Sequence, residues 1–467
     1  MLAMPASSRL SLLCAAGAVL LAAQTPPAAL NPAVQQIVEG VSAERIEANL
    51  RKLESFGTRY ILSEQGGTER GIGAAKRWIH DEFLSYSPKL QVSDQSFRIR
   101  RGARLGQVLR EVELSNVVAV LPGTVDRDNY VLVTAHYDTV SLHRKPKPTE
   151  AERIATMVRR GMEEAEARRV VQLFPTEDVL GEVDAEATAA EPNSPGVVDD
   201  ASGIAAVMEL ARVMSQHEFE KSLVFVAFSG EEIGLEGSKV YAGAAKQKGM
   251  RIEAVLNNDI IGSDTSGNGR TNSSALRVFA AGPEDSPGRA LLRYTKLLAE
   301  RYVPSMAVEM VFRGDRFNRG GDHTSFQTQG YAAVRLTTAS ENYESQHSAT
   351  DTFGNASVPY TTRVTRMNAA VAASLALAPA PPVVNYTFLS GDRKGDRQPM
   401  LSRGKSGYDA ALRWQPSPAA DLAGYAVVMR STTAPDWERE IWVGNVTSYT
   451  LPDVSIDNVV QIGRAHV

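Results

Sequence analysis

Five places in this 467-residue chain put titratable side chains where a strand gives way to a loop. His136-Tyr137-Asp138 ends the apolar run VLVTAHYD. Asp199-Asp200 opens DDASGIAAVMELAR. Glu231-Glu232 follows SLVFVAFSG, Asp259 closes LNND, and His347 lies in ENYESQHSATDT. A histidine at a strand end can ligate zinc through one ring nitrogen while a carboxylate two residues on, here Asp138, holds the other. Capping a helix needs one acid, and here two are adjacent. A carboxylate at the bottom of a site can bridge two cations, whose charge offsets the repulsion of its neighbour. Adjacent glutamates suit a divided task, one binding metal and the other accepting a proton from metal-bound water.

Each of these residues also has an ordinary reading. A strand-end histidine is a polar loop residue, Asp200 a helix cap, Glu231-Glu232 a solvated turn, Asp259 a strand cap and His347 a surface histidine. The set is more specific than its members. His136, Asp199, one glutamate, Asp259 and His347 supply five nitrogen or oxygen ligands, which suits two zinc ions with room for water. All fall at the carboxyl ends of expected strands or just beyond, where open α/β sheets place their sites. His323 in GGDHTSF is a rival ligand. Asp322 beside it reads as an N-cap, so His323 is expected to be structural or substrate-facing.

The elements that must position these residues are legible from periodicity. Residues 32–86 carry apolar positions at helical spacing, broken by QGGTERGIG. LQVSDQSFRIR and VELSNVVAVLPG alternate as strands do. Beyond residue 195 short apolar, β-branched runs alternate with helical ones, ending on a helix from Tyr360 to Leu377. This predicts an α/β fold, a three-layer sandwich around a mostly parallel mixed sheet, over residues 31–378. Residues 141–195 interrupt the rhythm: a basic loop, a helical stretch of mixed charge, then the acidic, loop-like EDVLGEVDAEATAAEPNSPG. The segment reads either as a solvated excursion or as a lid shaping substrate access.

Composition bounds the rest. The chain is 43% hydrophobic and 22% charged with net charge −4, so nothing in it points to nucleic acid or an anionic membrane surface. Arg9 precedes LSLLCAAGAVLLAA, too short for a comfortable membrane span and ending in small residues. Residues 1–23 therefore read as a signal peptide, cleaved near Ala23, and the protein as secreted or periplasmic with no span after its removal. The one cysteine, Cys14, lies inside that segment. The mature chain then has no disulfide, no thiolate ligand and no cysteine nucleophile, and any metal is held by histidines and carboxylates. After APAPPVV, residues 381–467 resemble a fibronectin type III module in the Trp414 strand and in Gly424-Tyr425-Ala426-Val427-Val428, with the sandwich expected to stop short of its last strands.

AHYDT, PGVVDDASGIAAVMELAR, FVAFSGEEIGLEGS, NNDIIG, GDHTSF and QHSATDT, in that order, resemble metallopeptidase family 28, the di-zinc aminopeptidases and related exopeptidases. The resemblance implies an α/β sandwich around a mixed eight-stranded sheet, two zinc ions and peptide or protein substrates. It implies that His136 and Asp259 serve opposite metals, with His136 sharing its zinc with Glu232, or else with Asp259. Asp199 would bridge through a cis Asp199-Asp200 bond, and His347 would complete the set. Glu231 would be the general base and Asp138 would orient His136. The long excursion and Gln346, where tyrosine is frequent, depart from the family pattern and bear on substrate preference. Within the family a carboxypeptidase is a rival, with Arg313, Arg316 and Arg319 near GGDHTSF, as is a single-zinc glutaminyl cyclase. A secreted binding protein with an inert hydrolase-like domain is a rival of another class. The chain has neither the G-x-S-x-G elbow of a serine hydrolase nor the H-E-x-x-H of a zincin.

Overall fold

A computed structural model describes residues 30–465 except 105–106, 176–180, 285, 316–318, 381, 389, 392–393, 396, 400–407, 420–421 and 455–457. The expected signal segment and Arg316 lie outside the described residues.

Helices α1 (Pro32–Glu39), α2 (Ala43–Ser55) and α3 (Gly71–Tyr86) come first. Asn31 caps α1 ahead of Pro32, and the Ser42 hydroxyl caps α2 by accepting the Arg45 N–H. Strands β1 (Gln91–Ile99), β2 (Val112–Leu121) and β3 (Asp126–His136) follow. The excursion then contains α4 (Glu150–Arg159), α5 (Glu164–Leu173) and α6 (Ala185–Ala190). The last of these corrects the expectation of an acidic loop: Asp184 accepts the Ala187 N–H and starts a short helix in the Ala-rich EATAA.

An irregular turn, Val197–Ala201, leads into α7 (Ser202–Met214) and β4 (Lys221–Phe228). Next come α8 (Glu236–Gln247), β5 (Arg251–Asn258), β6 (Ala275–Phe279), α9 (Pro287–Tyr302) and β7 (Ala307–Val311). The core unit closes with α10 (His323–Thr328), β8 (Ala333–Thr338) and α11 (Val358–Leu377). The last helix begins ahead of Tyr360 because Pro359 is tolerated in a first turn, where its missing N–H has no partner to lose.

The eight strands form one mixed sheet in the order β1-β2-β4-β3-β5-β8-β6-β7. Its centre, β4-β3-β5-β8, is parallel, and β1, β2 and the β6–β8 pairing are antiparallel. Along β4, Leu223, Phe225 and Ala227 enter the larger core, beneath α1, α2, α3, α7, α9 and α11. Val224, Val226 and Phe228 enter the smaller one, beneath α8 and α10. That alternation is the mark of a strand covered on both faces, and it explains why β4 reads as an unbroken apolar run. The parallel order sends the carboxyl ends of β3, β4, β5 and β8 to one edge, which collects the loops holding His136, Glu231 and Asp259.

After α11 the short strands β9 (Tyr386–Phe388) and β10 (Arg397–Pro399) pair. β11 (Ala410–Arg413) pairs with β14 (Ser448–Leu451), and β12 (Gly424–Ser431) lies between β13 (Arg439–Gly444) and β15 (Asn458–Ala465). Leu412, Trp414, Tyr425 and Val427 form their shared core. The last segment, β15, pairs antiparallel with β12. This unit rests on α9, where Arg301 pairs with Glu440 at 2.7 Å and the Arg293 Nε donates to the Pro435 carbonyl at 2.8 Å. Among the described residues, no helix is long and apolar enough to cross a membrane.

Candidate metal centre

The turn between the excursion and α7 is built around two acids with different surroundings. The Asp199-Asp200 peptide is cis. Asp200 is fully buried and supports the turn. Its carboxylate accepts the main-chain N–H groups of Gly203 (2.9 Å), Ile260 (3.2 Å) and His136 (3.3 Å), joining the start of α7, the loop after β5 and the end of β3. Gly203 is required here because a Cβ would lie 2.4 Å from Asp200 Oδ2. Gly196 has φ +49°, and a Cβ there would stand 2.2 Å from Thr139 Cγ2.

Asp199 faces the other way. Its Oδ1 lies 3.2 Å from His136 Nε2 and its Oδ2 3.1 Å from His347 Nε2. His347 Nε2 is also 3.2 Å from Glu232 Oε2. Two trios result, His136-Asp199-Asp259 and Asp199-Glu232-His347, each with ligand atoms within 4.8 Å of one another. Asp199 belongs to both. All five ligands expected from sequence are therefore brought together, and His323 is in neither trio. His136 and Asp259 sit in the same trio rather than on opposite sides, because β3 and β5 are adjacent parallel strands that end at the same edge. Glu232, on the far side of Asp199, joins His347 instead.

The donor set fits divalent zinc, with imidazole nitrogens, carboxylates and no thiolate. Glu232 Oε1 is buried without a hydrogen-bond partner, as a carboxylate oxygen aimed at a cation would be. The electrostatics also fit. Burial opposes the charged form of His136, but Asp199 and the surrounding acids outweigh it and hold the ring well above its usual pKa. His347 is raised likewise, against burial, by Glu232 and Asp199. Burial raises Glu231 well above the carboxylate range; His136 opposes this, while Asp259, Glu232 and Asp322 add to it. Burial raises Glu232 and Asp259 as well, Asp259 despite Arg335. Among the five ligands, Asp199 is the carboxylate held well below the usual range: the two histidines that donate to it overcome its burial. A pocket with this much buried carboxylate is poised to take up positive charge.

Asp138 holds the site in a way the sequence did not show. Its carboxylate accepts the N–H groups of Glu231 at 3.1 Å and Glu232 at 3.2 Å, so it shapes the glutamate turn. The His136 Nδ1 is 3.1 Å from the Asp138 carbonyl and 3.8 Å from its carboxylate. The main chain, rather than the expected side chain, orients the ring.

Other expectations are corrected. Asp322 stands before α10 with helical angles and makes no side-chain cap. His323 has no exposed surface, which removes the substrate-facing role, and burial holds it neutral with a pKa of about 3. Arg319 pairs with Glu341 at 3.0 Å, and Arg313 is exposed.

Three supporting residues had no clear signal in the motifs. Arg335 Nη2 lies 3.0 Å from Asp259 Oδ1, and its other nitrogen pairs with Asp315. Asp351 accepts the N–H groups of Val198 and Asp199, each at 3.0 Å, and so fixes Asp199 from the His347 loop. Arg59, in FGTRYI, is fully buried among main-chain carbonyls. A charge inside an apolar strand, as in AAVRLTT, is a readable signal for Arg335.

Comparison with known proteins agrees with this geometry. Residues 116–372 match the model of Peptidase family M28. A probable zinc metalloprotease of Leptosphaeria maculans is 33% identical over 91% of this chain and 92% of its own length. The fold is similar to that of the LapA aminopeptidase of Legionella pneumophila, with TM-score 0.50 and 18% identity over 74% of this chain and 75% of that one. It is equally similar to an aminopeptidase from Aneurinibacillus sp. strain AM-1, with TM-score 0.50 and 15% identity over 74% and 97%. The family match spans more than half the chain and takes in His136, Asp199, Glu232, Asp259 and His347; this chain belongs to Peptidase family M28.

Proposed function

We propose that the protein is a zinc-dependent aminopeptidase that hydrolyses N-terminal residues from peptides with two metal ions. The observation that carries this reading is the position of Asp199, whose two oxygens face separate trios. His136 and Asp259 would hold one ion, Glu232 and His347 the other, and Asp199 both. When bound, the zinc pair supplies Lewis acidity that polarises the scissile carbonyl and acidifies the attacking water. Glu231 accepts the proton of that water at its carboxylate and returns it to the leaving amine nitrogen. Asp138 fixes Glu231 and Glu232 through their N–H groups, so the base and its neighbouring ligand keep one geometry. Asp351 holds the main chain of Asp199, and Asp200 ties the turn that carries it to Gly203, Ile260 and His136.

The apolar run LSLLCAAGAVLLAA supports secretion or periplasmic export by a cleaved signal. The small antiparallel sheets beyond α11 support a fibronectin type III-like module. The pairing of Arg319 with Glu341 favours the aminopeptidase over an arginine-lined carboxypeptidase.

The test is hydrolysis of aminoacyl, carboxy-terminal and N-terminal glutaminyl substrates with and without a chelator, beside elemental analysis. Chelator-sensitive release from aminoacyl substrates with two zinc ions per chain is the expected result. One ion with cyclisation of glutaminyl substrates would mean a cyclase, and no chelator-sensitive hydrolysis would mean an inert domain.

A further inference from the structure

Arg59 follows α2 and is completely buried. Its guanidinium meets no carboxylate among the described residues, and all its side-chain hydrogen bonds go to main-chain carbonyls. Nε donates to Tyr137 at 2.7 Å, Nη1 to Leu53 at 3.0 Å and to Pro195 at 2.7 Å, and Nη2 to Gly196 at 2.9 Å. A buried charge satisfied only by carbonyls is an expensive arrangement unless it fixes something.

What it fixes is the neck of the excursion. Tyr137 directly follows His136, and Pro195-Gly196 leads into the turn that carries Asp199. Residues 141–195 separate these two candidate ligands in the chain, and among the described residues they supply no member of either trio. Thr139 makes parallel ties: its N–H donates to the Arg59 carbonyl at 3.2 Å, and its hydroxyl accepts the Arg59 N–H at 3.1 Å and donates to the Ser194 carbonyl at 2.8 Å. One planar fork and one hydroxyl therefore hold both ends of the excursion against the end of α2. Burial lowers the Arg59 pKa to about 10, and the charges of Asp351, Asp200, Asp138 and Asp199 oppose this, so the guanidinium stays charged at neutral pH. A lysine has three donors around a point charge and cannot reach the same carbonyls in one plane.

We propose that Arg59, together with Thr139, is a positioning clamp that sets the spacing of His136 and Asp199 and thereby the geometry of metal binding. This rests on the two-metal reading above. Neither residue touches the reacting atoms. A merely structural role would lower stability and leave the metal affinity of the folded protein unchanged; a clamp must alter that affinity, because the ligands it spaces belong to one trio.

The test compares full-length wild type with Arg59→Lys and Thr139→Val. Each is stripped with a chelator and refilled with zinc against a chromophoric competitor, then with cobalt(II) for its visible spectrum, beside thermal melts. Arg59→Lys is expected to bind at least about tenfold more weakly, the range found when groups that orient metal ligands are lost, with shifted cobalt bands. Thr139→Val should move the same way by less. A folded Arg59→Lys with wild-type affinity and spectrum overturns the clamp. Should that variant not fold, Thr139→Val decides, and unchanged affinity and spectrum there overturn it. Fewer than two ions in the wild type overturns the two-metal reading, while the clamp is still judged by the variants' affinity for the ion that binds. A wild type that takes up no metal overturns both.

Discussion

Arg335 reaches Asp259 at 3.0 Å from within β8, and its guanidinium also pairs with Asp315. Both partners have almost no exposed side chain. The cation therefore fixes one oxygen of Asp259, which shares a trio with His136 and Asp199. Removing one partner of a buried pair typically destabilises by about 3–5 kcal/mol, because the other charge stays buried alone. Arg335→Met should lose stability of that order in chemical denaturation of the metal-free protein. A loss below about 1 kcal/mol would show that the pair contributes no more than a surface one.

Glu231→Ala should keep the metal complement and lose turnover by about 10²–10⁴-fold, the usual contribution of a positioned proton-transfer group. Elemental analysis and kcat measured on the same sample check this. Substantial activity in a metal-replete variant would remove Glu231 from the role of base.

Asp199→Ala and His347→Ala should lower zinc content, Asp199→Ala by more because both trios include it. Full occupancy after dialysis against chelator-free buffer, in either variant, would count against that residue as a ligand.

The metal-free protein should lose stability as pH rises from about 5 to 8. Burial pushes Asp322 and Asp351 up to about 7. A carboxyl whose folded pKa exceeds its unfolded value stabilises the fold below the unfolded pKa, near 4, and that stabilisation is lost as pH climbs through the folded value. The raised His136 and His347 act with the same sign. Asp199, which is lowered, contributes a stabilisation already complete over this window; His323, held at about 3 by burial, acts with the opposite sign below about 6.5, where the unfolded ring still takes a proton, and is outweighed by the two raised aspartates and two raised histidines. A tenfold difference in proton affinity between the folded and unfolded chain is worth about 1.4 kcal/mol, so the melting temperature should fall by more than about 2 °C. Added zinc should recover more of the loss at pH 8 than at pH 5. A metal-free melting temperature that rises across this range would contradict the sign.

Much of the sheet was legible because its central strands are nearly pure apolar runs: β3 ends on His136, β5 just before Asp259, and Glu231-Glu232 follow β4 after Ser229-Gly230. The five candidate ligands were singled out for a similar reason: an acid or histidine after SLVFVAF or EAVLNN has few structural uses, and the structure brings all five together. Pairing between ligands was not. Whether Asp259 or Glu232 joins His136 depends on strand order, and β5 beside β3 is a non-local fact. The use of the Asp138 carboxylate was misread because a spacing of two residues does not say which of its oxygens, side chain or main chain, meets the ring. Arg59, Asp351 and Arg335 act through main-chain groups or partners distant in sequence. Helix α6 was missed because Asp184 can start a helix as readily as it can sit in an acidic loop.

The excursion leaves and rejoins the fold through a narrow neck, closed by the Thr139–Ser194 and Ser141–Asn193 hydrogen bonds at 2.8 and 2.9 Å. Beyond that neck the Leu142 N–H still donates to the His347 carbonyl at 2.9 Å and the Arg70 side chain to the Pro192 carbonyl; further out, loop length changes the closure entropy only slowly. The excursion is thus an exchangeable cassette. Its outer part can change in length and surface, or be swapped between related chains, as long as the neck and the Leu142–His347 tie are kept, because those hold the loops that carry the candidate ligands.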